Sequence, residues 1–185
     1  MSEKQERLQQ RLQPEIEALR QQCRSLLLAT RDHAGQPNVS YAPFVFHEGA
    51  YYVLVSEVAR HGRNLRAVPQ LSLMLIEDES ASRQLFARQR LSYDATAQRV
   101  DRDSDTWHQA IGSLASRHGE LVHNLTKMND FHLYCLQPTQ GTYVKGFGQA
   151  FEVAADDSIA PVHLTVGHQP REPETGTGQG TGTSK

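Results

Sequence analysis

Two histidines near the end of the chain carry the chemistry that is easiest to specify. His163 and His168 lie in the segment VHLTVGH, among the apolar residues Val162, Leu164 and Val166. A neutral imidazole nitrogen binds ferric or ferrous iron, so a histidine on a docked terminal segment can act as an axial iron ligand. Spacing alone makes the two histidines equal candidates, and an ordinary surface histidine is the alternative interpretation for each.

A basic turn earlier in the chain offers a place for an anion. Arg60, His61 and Arg63, in ARHGRNL, come at the end of a strand-like segment and the start of a helical turn. Cations and backbone N–H groups at such a point favour a phosphate, as in a flavin site, or a haem propionate. A solvated basic turn is the alternative interpretation.

A further pair of arginines follows in QLFARQRLSYDA. Arg88 and Arg90 lie two residues apart and share one side of a strand if both belong to it. A cation that points into an apolar pocket is costly unless an anion meets it. The pattern is therefore typical either of an anion-binding pocket or of exposed arginines on the rim of a barrel.

Composition excludes several classes of function. The nine histidines form no close-spaced metal motif such as HExxH, and Cys23 and Cys135 lie far apart. A formal net charge of -2 argues against a dedicated nucleic-acid binder. No apolar run approaches the roughly 20 residues that span a bilayer, and the charged N-terminus lacks a signal-peptide core. We therefore expect a cytoplasmic protein with reduced thiols and no membrane insertion.

A helix and a set of short strands must position these residues. Residues 3–24 have apolar side chains at helical spacing, which predicts a helix that packs on a partner subunit or on its own barrel. Pro14 predicts a break or a kink within it. Strand-like segments joined by turns follow, with ARHGRNL as a helical connection. In order they are SLLLATRD, NVSYAPFVFH, YYVLVSE, QLSLMLIED and RLSYDATAQRV.

The second half of the chain predicts helices and then two more strands. Residues 102–128 are typical of one or two helices, with Asp103 or Ser104 as the N-cap and Gly119 as a break. DFHLYCLQPTQGTYVKGFGQAFEV predicts two strands around a PTQG turn. The order of elements indicates an α+β fold built on one antiparallel β-barrel.

The composition divides the chain into three parts. We expect an N-terminal helical segment over 1–24 and a barrel domain with a C-terminal ligand loop over 25–168. Residues 169–185 are dominated by Gly, Thr and Pro, which predicts a disordered tail.

Seven segments carry a resemblance to a known family. They are QERLQQRLQPEIEALRQ, PNVSYAPFVF, ARHGRNL, LMLIEDE, QLFARQRLSYDA, YVKGFGQAF and VHLTVGH, spread over residues 5–168. Together they resemble the HutZ/HugZ haem-utilisation family, a group of pyridoxamine-phosphate-oxidase-like split barrels of the FMN-binding, flavin-reductase-like type. The resemblance implies a homodimer that binds haem between its subunits. It also implies oxygen-dependent opening of haem to a biliverdin-like tetrapyrrole, with release of iron.

The resemblance also implies roles for individual residues. His168, which follows Gly167, matches the axial iron ligand, and Asp130 matches the acidic residue that hydrogen-bonds it. Such a carboxylate fixes the imidazole tautomer and adds electron density to the metal. Arg90 matches the basic residue of the haem pocket, where it would stabilise developing negative charge. His61 matches the histidine of the ARH turn, and a cap between helix and strand is the alternative role for Asp130.

Two other functions remain open from the sequence. One is an FMN-dependent oxidase or reductase of the pyridoxamine-phosphate-oxidase type, with Arg60 and Arg63 at the phosphate. The other is a haem carrier or store without turnover, which shares every haem-binding feature. Catalysis would also require an electron donor, which the sequence does not identify.

Overall fold

Strands form where runs of aliphatic, β-branched and aromatic residues are separated by turn residues. The computed structural model describes residues 3–161. In chain order its elements are α1 (Glu3–Gln22), β1 (Ser25–Arg31), β2 (Pro37–His47), β3 (Ala50–Ser56), α2 (Arg60–Ala67), β4 (Gln70–Ile76), β5 (Arg90–Arg99), α3 (Asp105–His118), α4 (Leu121–Leu125), β6 (Phe131–Gly146), β7 (Gln149–Ala154) and β8 (Ile159–Pro161).

Six strands close into a barrel. They are hydrogen-bonded in the order β3-β2-β1-β4-β5-β6, and a further pairing of β3 with β6 completes the ring. All these pairs are antiparallel. Closure leaves the six strands without an open edge, while β7 and β8 extend the sheet beyond β6. The predicted antiparallel split barrel is confirmed.

The helix α1 packs its apolar stripe into the barrel of its own chain. Leu12, Ile16 and Leu19 are at most 1% exposed and belong to the same core as the barrel strands. The helix continues through Pro14, so the first of the two expectations, a break, is wrong, while the second, a kink, stays a prediction. Burial on both sides of Pro14 outweighs the one backbone hydrogen bond that a proline removes.

A buried charged network joins α1 to the turn between β7 and β8. Arg20, only 7% exposed, donates two hydrogen bonds to the carboxylate of Asp157, at 2.7 and 2.9 Å, and a third to the Tyr51 hydroxyl at 2.9 Å. Tyr93 donates to the same carboxylate at 2.7 Å. The guanidinium lies 4.0 Å from the centre of the Phe46 ring. This network ties the two ends of the described chain together.

The predicted PTQG turn is wrong, because β6 runs straight through it. The chain reverses instead around Gly148, whose φ of +66° suits glycine. Gly141, the last residue of PTQG, has a packing role: a Cβ there would lie 2.2 Å from the Ser92 carbonyl oxygen. A register shift between β5 and β6 occurs at this point, so the glycine marks a close approach of two strands.

The helices α3 and α4 cover the outer face of part of the barrel. Ser104 accepts a hydrogen bond from the Trp107 backbone N–H, which confirms the predicted N-cap. Gly119, with φ of +93°, ends α3, which confirms the predicted break. A second apolar layer lies between these helices and the strands β2, β3 and β6; its members are Val45, Ala50, Tyr52, Ala110, Ile111, Leu114, Val122 and Leu133. Within residues 3–161, no helix combines the length and hydropathy needed to cross a membrane.

Candidate functional site

An apolar cavity of about 540 Å³ opens beside the second apolar layer. Its size falls within the range of roughly 300–1,000 Å³ that is usual for small-molecule sites. Most of its walls are aliphatic or aromatic, and its few polar groups are two histidines, one serine and one tyrosine. The lining residues are Tyr41, Ala42, Pro43, Leu54, Val55, Ser56, Ala59, His61, Leu114, His118, Leu121, Val122, Leu125 and Phe131.

His61 brings a neutral imidazole to this cavity. It lies in the first turn of α2 and is half-buried. Burial lowers the pKa of His61 below the ordinary value of 6.5. The uncharged form is therefore favoured at neutral pH, and an uncharged imidazole retains a nitrogen lone pair.

His118, the last residue of α3, is a second histidine in the cavity wall. Its Nε2 lies 2.9 Å from the backbone oxygen of Phe44 and donates to it, because a carbonyl oxygen accepts. For an uncharged ring, this bond leaves Nδ1 as an acceptor. Sequence reasoning did not single out His118, because its position at the end of a helix carries no motif.

Asp130 lies at the edge of the cavity, held by Ser56. The Ser56 hydroxyl donates to Oδ2 of Asp130 and accepts the backbone N–H of Val58 at 3.0 Å. The carbonyl oxygen of Asp130 accepts the backbone N–H of Glu57 at 2.8 Å. Asp130 thus connects the end of the helical region to the start of β6, and its carboxylate lies one hydrogen bond from a residue that lines the cavity.

A glycine on α2 allows that helix to pack closely against the end of β3. A Cβ at Gly62 would lie 2.1 Å from the carbonyl oxygen of Ser56, so only glycine lets the helix backbone approach so closely. The same carbonyl accepts the backbone N–H of Ala59 at 3.2 Å. These contacts fix the Ser56 backbone, and they place His61 in the cavity wall.

The two arginines of the basic turn contact partners within the chain. Arg60 lies 3.6 Å from the carboxylate of Asp32, and Arg63 donates to the carbonyl oxygen of Val58. Both side chains are exposed, and neither lines the apolar cavity. The structure therefore brings His61 of this turn to the cavity without its two arginines.

Arg90 lies at the first position of β5, away from the cavity of its own chain. It pairs with Ile76 of β4. It also pairs with Val144 of β6, which by its number is 13 residues along that strand from the cavity-lining Phe131. Its guanidinium donates to the carbonyl oxygen of Arg88 at 3.2 Å, while Arg88 itself precedes the strand and bonds Glu79. The two arginines therefore do not share a strand face.

The two C-terminal histidines, His163 and His168, lie outside the described residues. Among residues 3–161, no group of three or more His, Cys, Asp or Glu side chains forms a metal site. The site residues that the described part brings together are thus His61 and Asp130, with Ser56 and His118 as two residues that sequence reasoning missed.

Comparisons with known proteins give a consistent pattern. Residues 12–145 match the family model described as pyridoxamine 5′-phosphate oxidase. A protein of Vibrio cholerae serotype O1 named heme oxygenase HutZ is 54% identical over 166 residues, which cover 90% of this chain and 94% of that protein.

Solved structures agree with this pattern. The crystal structure of HutZ, described there as a heme storage protein of Vibrio cholerae, superposes with a TM-score of 0.70 at 53% identity and covers 74% of this chain and 96% of that one. Campylobacter jejuni ChuZ superposes with a TM-score of 0.77 at 29% identity, over 86% of this chain and 65% of that one.

Proposed function

This chain belongs to the pyridoxamine 5′-phosphate oxidase family and, within it, to the HutZ/HugZ haem-utilisation family, and we propose that it binds haem and opens the ring with oxygen. The products would be a biliverdin-like tetrapyrrole and free iron. The observation that carries the proposal is an apolar cavity whose wall holds a neutral His61 and whose edge holds the Asp130 carboxylate. A relative with 54% identity is named a heme oxygenase, which supports the same activity.

The residues present fit a bound haem. Aliphatic and aromatic walls suit the two faces of a macrocycle, since desolvating such a surface is favourable. The porphyrin supplies four iron ligands, so a site without a protein metal cluster is compatible with haem. When bound, the haem supplies the redox and oxygen chemistry, and the protein supplies binding and orientation.

In this proposal His168 would bind the iron, and Asp130 would accept the N–H of its other imidazole nitrogen. That hydrogen bond would fix the tautomer and the ring plane of the ligand. Arg90 would contribute a fixed positive charge where negative charge develops during ring opening. His61 would face the tetrapyrrole as an uncharged group in a mostly apolar wall.

We propose a homodimer as the functional unit. The outer face of β2 exposes Val39 by 75% and Tyr41 by 66%, and Tyr41 also lines the cavity. A second subunit on this face would bury exposed apolar surface and extend the cavity wall. It would also allow Arg90, distant from the cavity of its own chain, to serve the cavity of the partner. Light scattering at micromolar concentration tests this, and a stable monomer would contradict it.

Titration with haem tests the proposed function directly. We expect a Soret band, and we expect reductant and oxygen to replace it with the absorption of a bile pigment. His168→Ala should abolish or strongly shift the Soret band, whereas His163→Ala should do much less. Asp130→Asn should still bind haem but degrade it more slowly. An unchanged spectrum for His168→Ala would exclude it as the ligand.

Two other functions give different results in the same experiment. An FMN enzyme would bind flavin, and substitution of His168 would not change that binding. This alternative has less support, because Arg60 and Arg63 already bond to partners within the chain. A carrier or store would bind haem without turnover; the description of HutZ as a heme storage protein favours testing this alternative. Both cysteines are free, which suits our proposal of a cytoplasmic protein. We also propose that a separate donor supplies the electrons.

A further inference from the structure

The hydroxyl of Ser56 connects two groups at the edge of the apolar cavity. It accepts the backbone N–H of Val58 at 3.0 Å and donates its own hydrogen to Oδ2 of Asp130. A serine hydroxyl has one hydrogen to donate. Because a backbone donor occupies its acceptor side and the carboxylate takes its hydrogen, the hydroxyl is held in one rotational state.

The position of Ser56 is itself fixed by the backbone around it. Its carbonyl oxygen accepts the Ala59 N–H, and the Gly62 backbone packs against it so closely that any Cβ would collide. Ser56 also pairs with Phe131, the residue after Asp130, in the β3–β6 ladder. These contacts hold Ser56 against the start of β6, next to Asp130.

This arrangement leaves one oxygen of Asp130 for another partner. Oδ2 is engaged by Ser56, and within residues 3–161 Oδ1 has no hydrogen-bond donor. We propose that Ser56 is a positioning residue, which sets the plane of the Asp130 carboxylate so that Oδ1 can accept the N–H of an iron-bound imidazole. This inference rests on the proposed function, in which Asp130 orients the axial ligand.

The experiment compares Ser56→Ala, Ser56→Thr, Asp130→Asn and the double variant Ser56→Ala/Asp130→Asn. Removing a hydrogen bond behind a metal ligand typically costs roughly 10–100-fold in activity. We expect Ser56→Ala to lower the rate of haem degradation by roughly tenfold, at the lower end of that range. Ser56→Thr should restore the rate, because it keeps the hydroxyl. The double variant should be no slower than Asp130→Asn alone, because Ser56 acts through Asp130.

Spectroscopy gives a second measurement that a loss of stability would not reproduce. When an iron-bound imidazole donates its N–H to a carboxylate, the iron–imidazole bond is strengthened. The iron–imidazole stretching frequency of the ferrous protein should therefore fall in Ser56→Ala and recover in Ser56→Thr. In the protein without haem, amide hydrogen exchange at Val58 should be faster in Ser56→Ala. Ser80→Ala is the matched control, because Ser80 also donates to an aspartate, Asp78, but on an exposed turn outside the cavity.

The outcomes separate this inference from the proposed function. If the wild-type protein binds no haem, the proposed function fails, and unchanged Val58 exchange in Ser56→Ala would also remove the structural basis of the inference. If the wild-type protein degrades haem and Ser56→Ala matches it in rate and stretching frequency, the inference is wrong. Additive losses in the double variant would also overturn it, because they would show that Ser56 does not act through Asp130.

Discussion

The buried ion pair between Arg20 and Asp157 allows a quantitative stability prediction. In Asp157→Asn the carboxylate is replaced by an amide of nearly the same shape. Asp157 has a φ of +60°, a conformation that asparagine also adopts readily, so the substitution adds no backbone strain. What changes is the charge opposite a guanidinium that is almost completely buried.

The size of the effect follows from the surroundings of the pair. Burial would lower the pKa of Arg20, but its bonds to Asp157 and the nearby Tyr51 outweigh burial and raise that pKa above the usual value. The asparagine therefore leaves a buried cation uncompensated. Removing one partner of a buried pair costs about 3–5 kcal/mol. Because the Asp157 side chain is 19% exposed, we expect the lower value, about 3 kcal/mol.

Urea denaturation followed by circular dichroism measures this loss at a fixed protein concentration. For a chain of this size, about 3 kcal/mol lowers the melting temperature by about 6–12 °C. Lys145→Met is the matched control, because the Lys145–Glu15 pair has side chains 37% and 28% exposed. Such a pair is worth about 0–1 kcal/mol. Equal losses in the two variants would refute the view that burial makes the Arg20–Asp157 pair strong.

Three further predictions test the barrel and the tail. Burial raises the pKa of Tyr51 to about 12. The folded protein therefore holds this proton more tightly than the unfolded chain, and stability should fall as the pH rises from about 10 to about 12, less steeply in Tyr51→Phe. Gly141→Ala should lower the unfolding free energy by at least about 2 kcal/mol through its clash with the Ser92 carbonyl, whereas Gly112→Ala, in open space on α3, should raise it slightly; equal urea midpoints would contradict this. Deletion from Thr175 onward should leave haem affinity unchanged, because that run has no apolar or ligating residue; weaker binding in a haem titration would show that it docks.

Local patterns were sufficient for the barrel strands but not for every turn. Alternating apolar residues and short turn sequences predicted β1 to β5 closely, because their neighbours in the sheet are mostly neighbours in sequence. The prediction of a turn at PTQG was wrong because a glycine that ends a turn and a glycine that allows a neighbouring strand to approach closely look alike in sequence. Only the pairing of Gly141 with Tyr93, 48 residues earlier by their numbers, distinguishes the two.

The cavity is harder to predict than its strands. It forms where α3 and α4 fold back over β3, so residues near position 55 meet residues near position 130. The resemblance pointed to His61 and Asp130 as site residues. Ser56 and His118 remained hidden, because a serine at a strand end and a histidine at a helix end acquire a role only through long-range contacts.

The Arg20–Asp157 network also has a consequence during synthesis on the ribosome. Its partners are 137 residues apart, so Arg20 is made roughly 7 to 27 s before Asp157 at ordinary elongation rates. During that interval the guanidinium has no carboxylate to accompany it into the barrel. We therefore expect the C-terminal end of the nascent helix α1, which carries Arg20, to stay in water. Its apolar stripe would then dock in the final position only after the turn between β7 and β8 has emerged. We expect the unfinished chain to need protection by chaperones until almost all of the described sequence is complete.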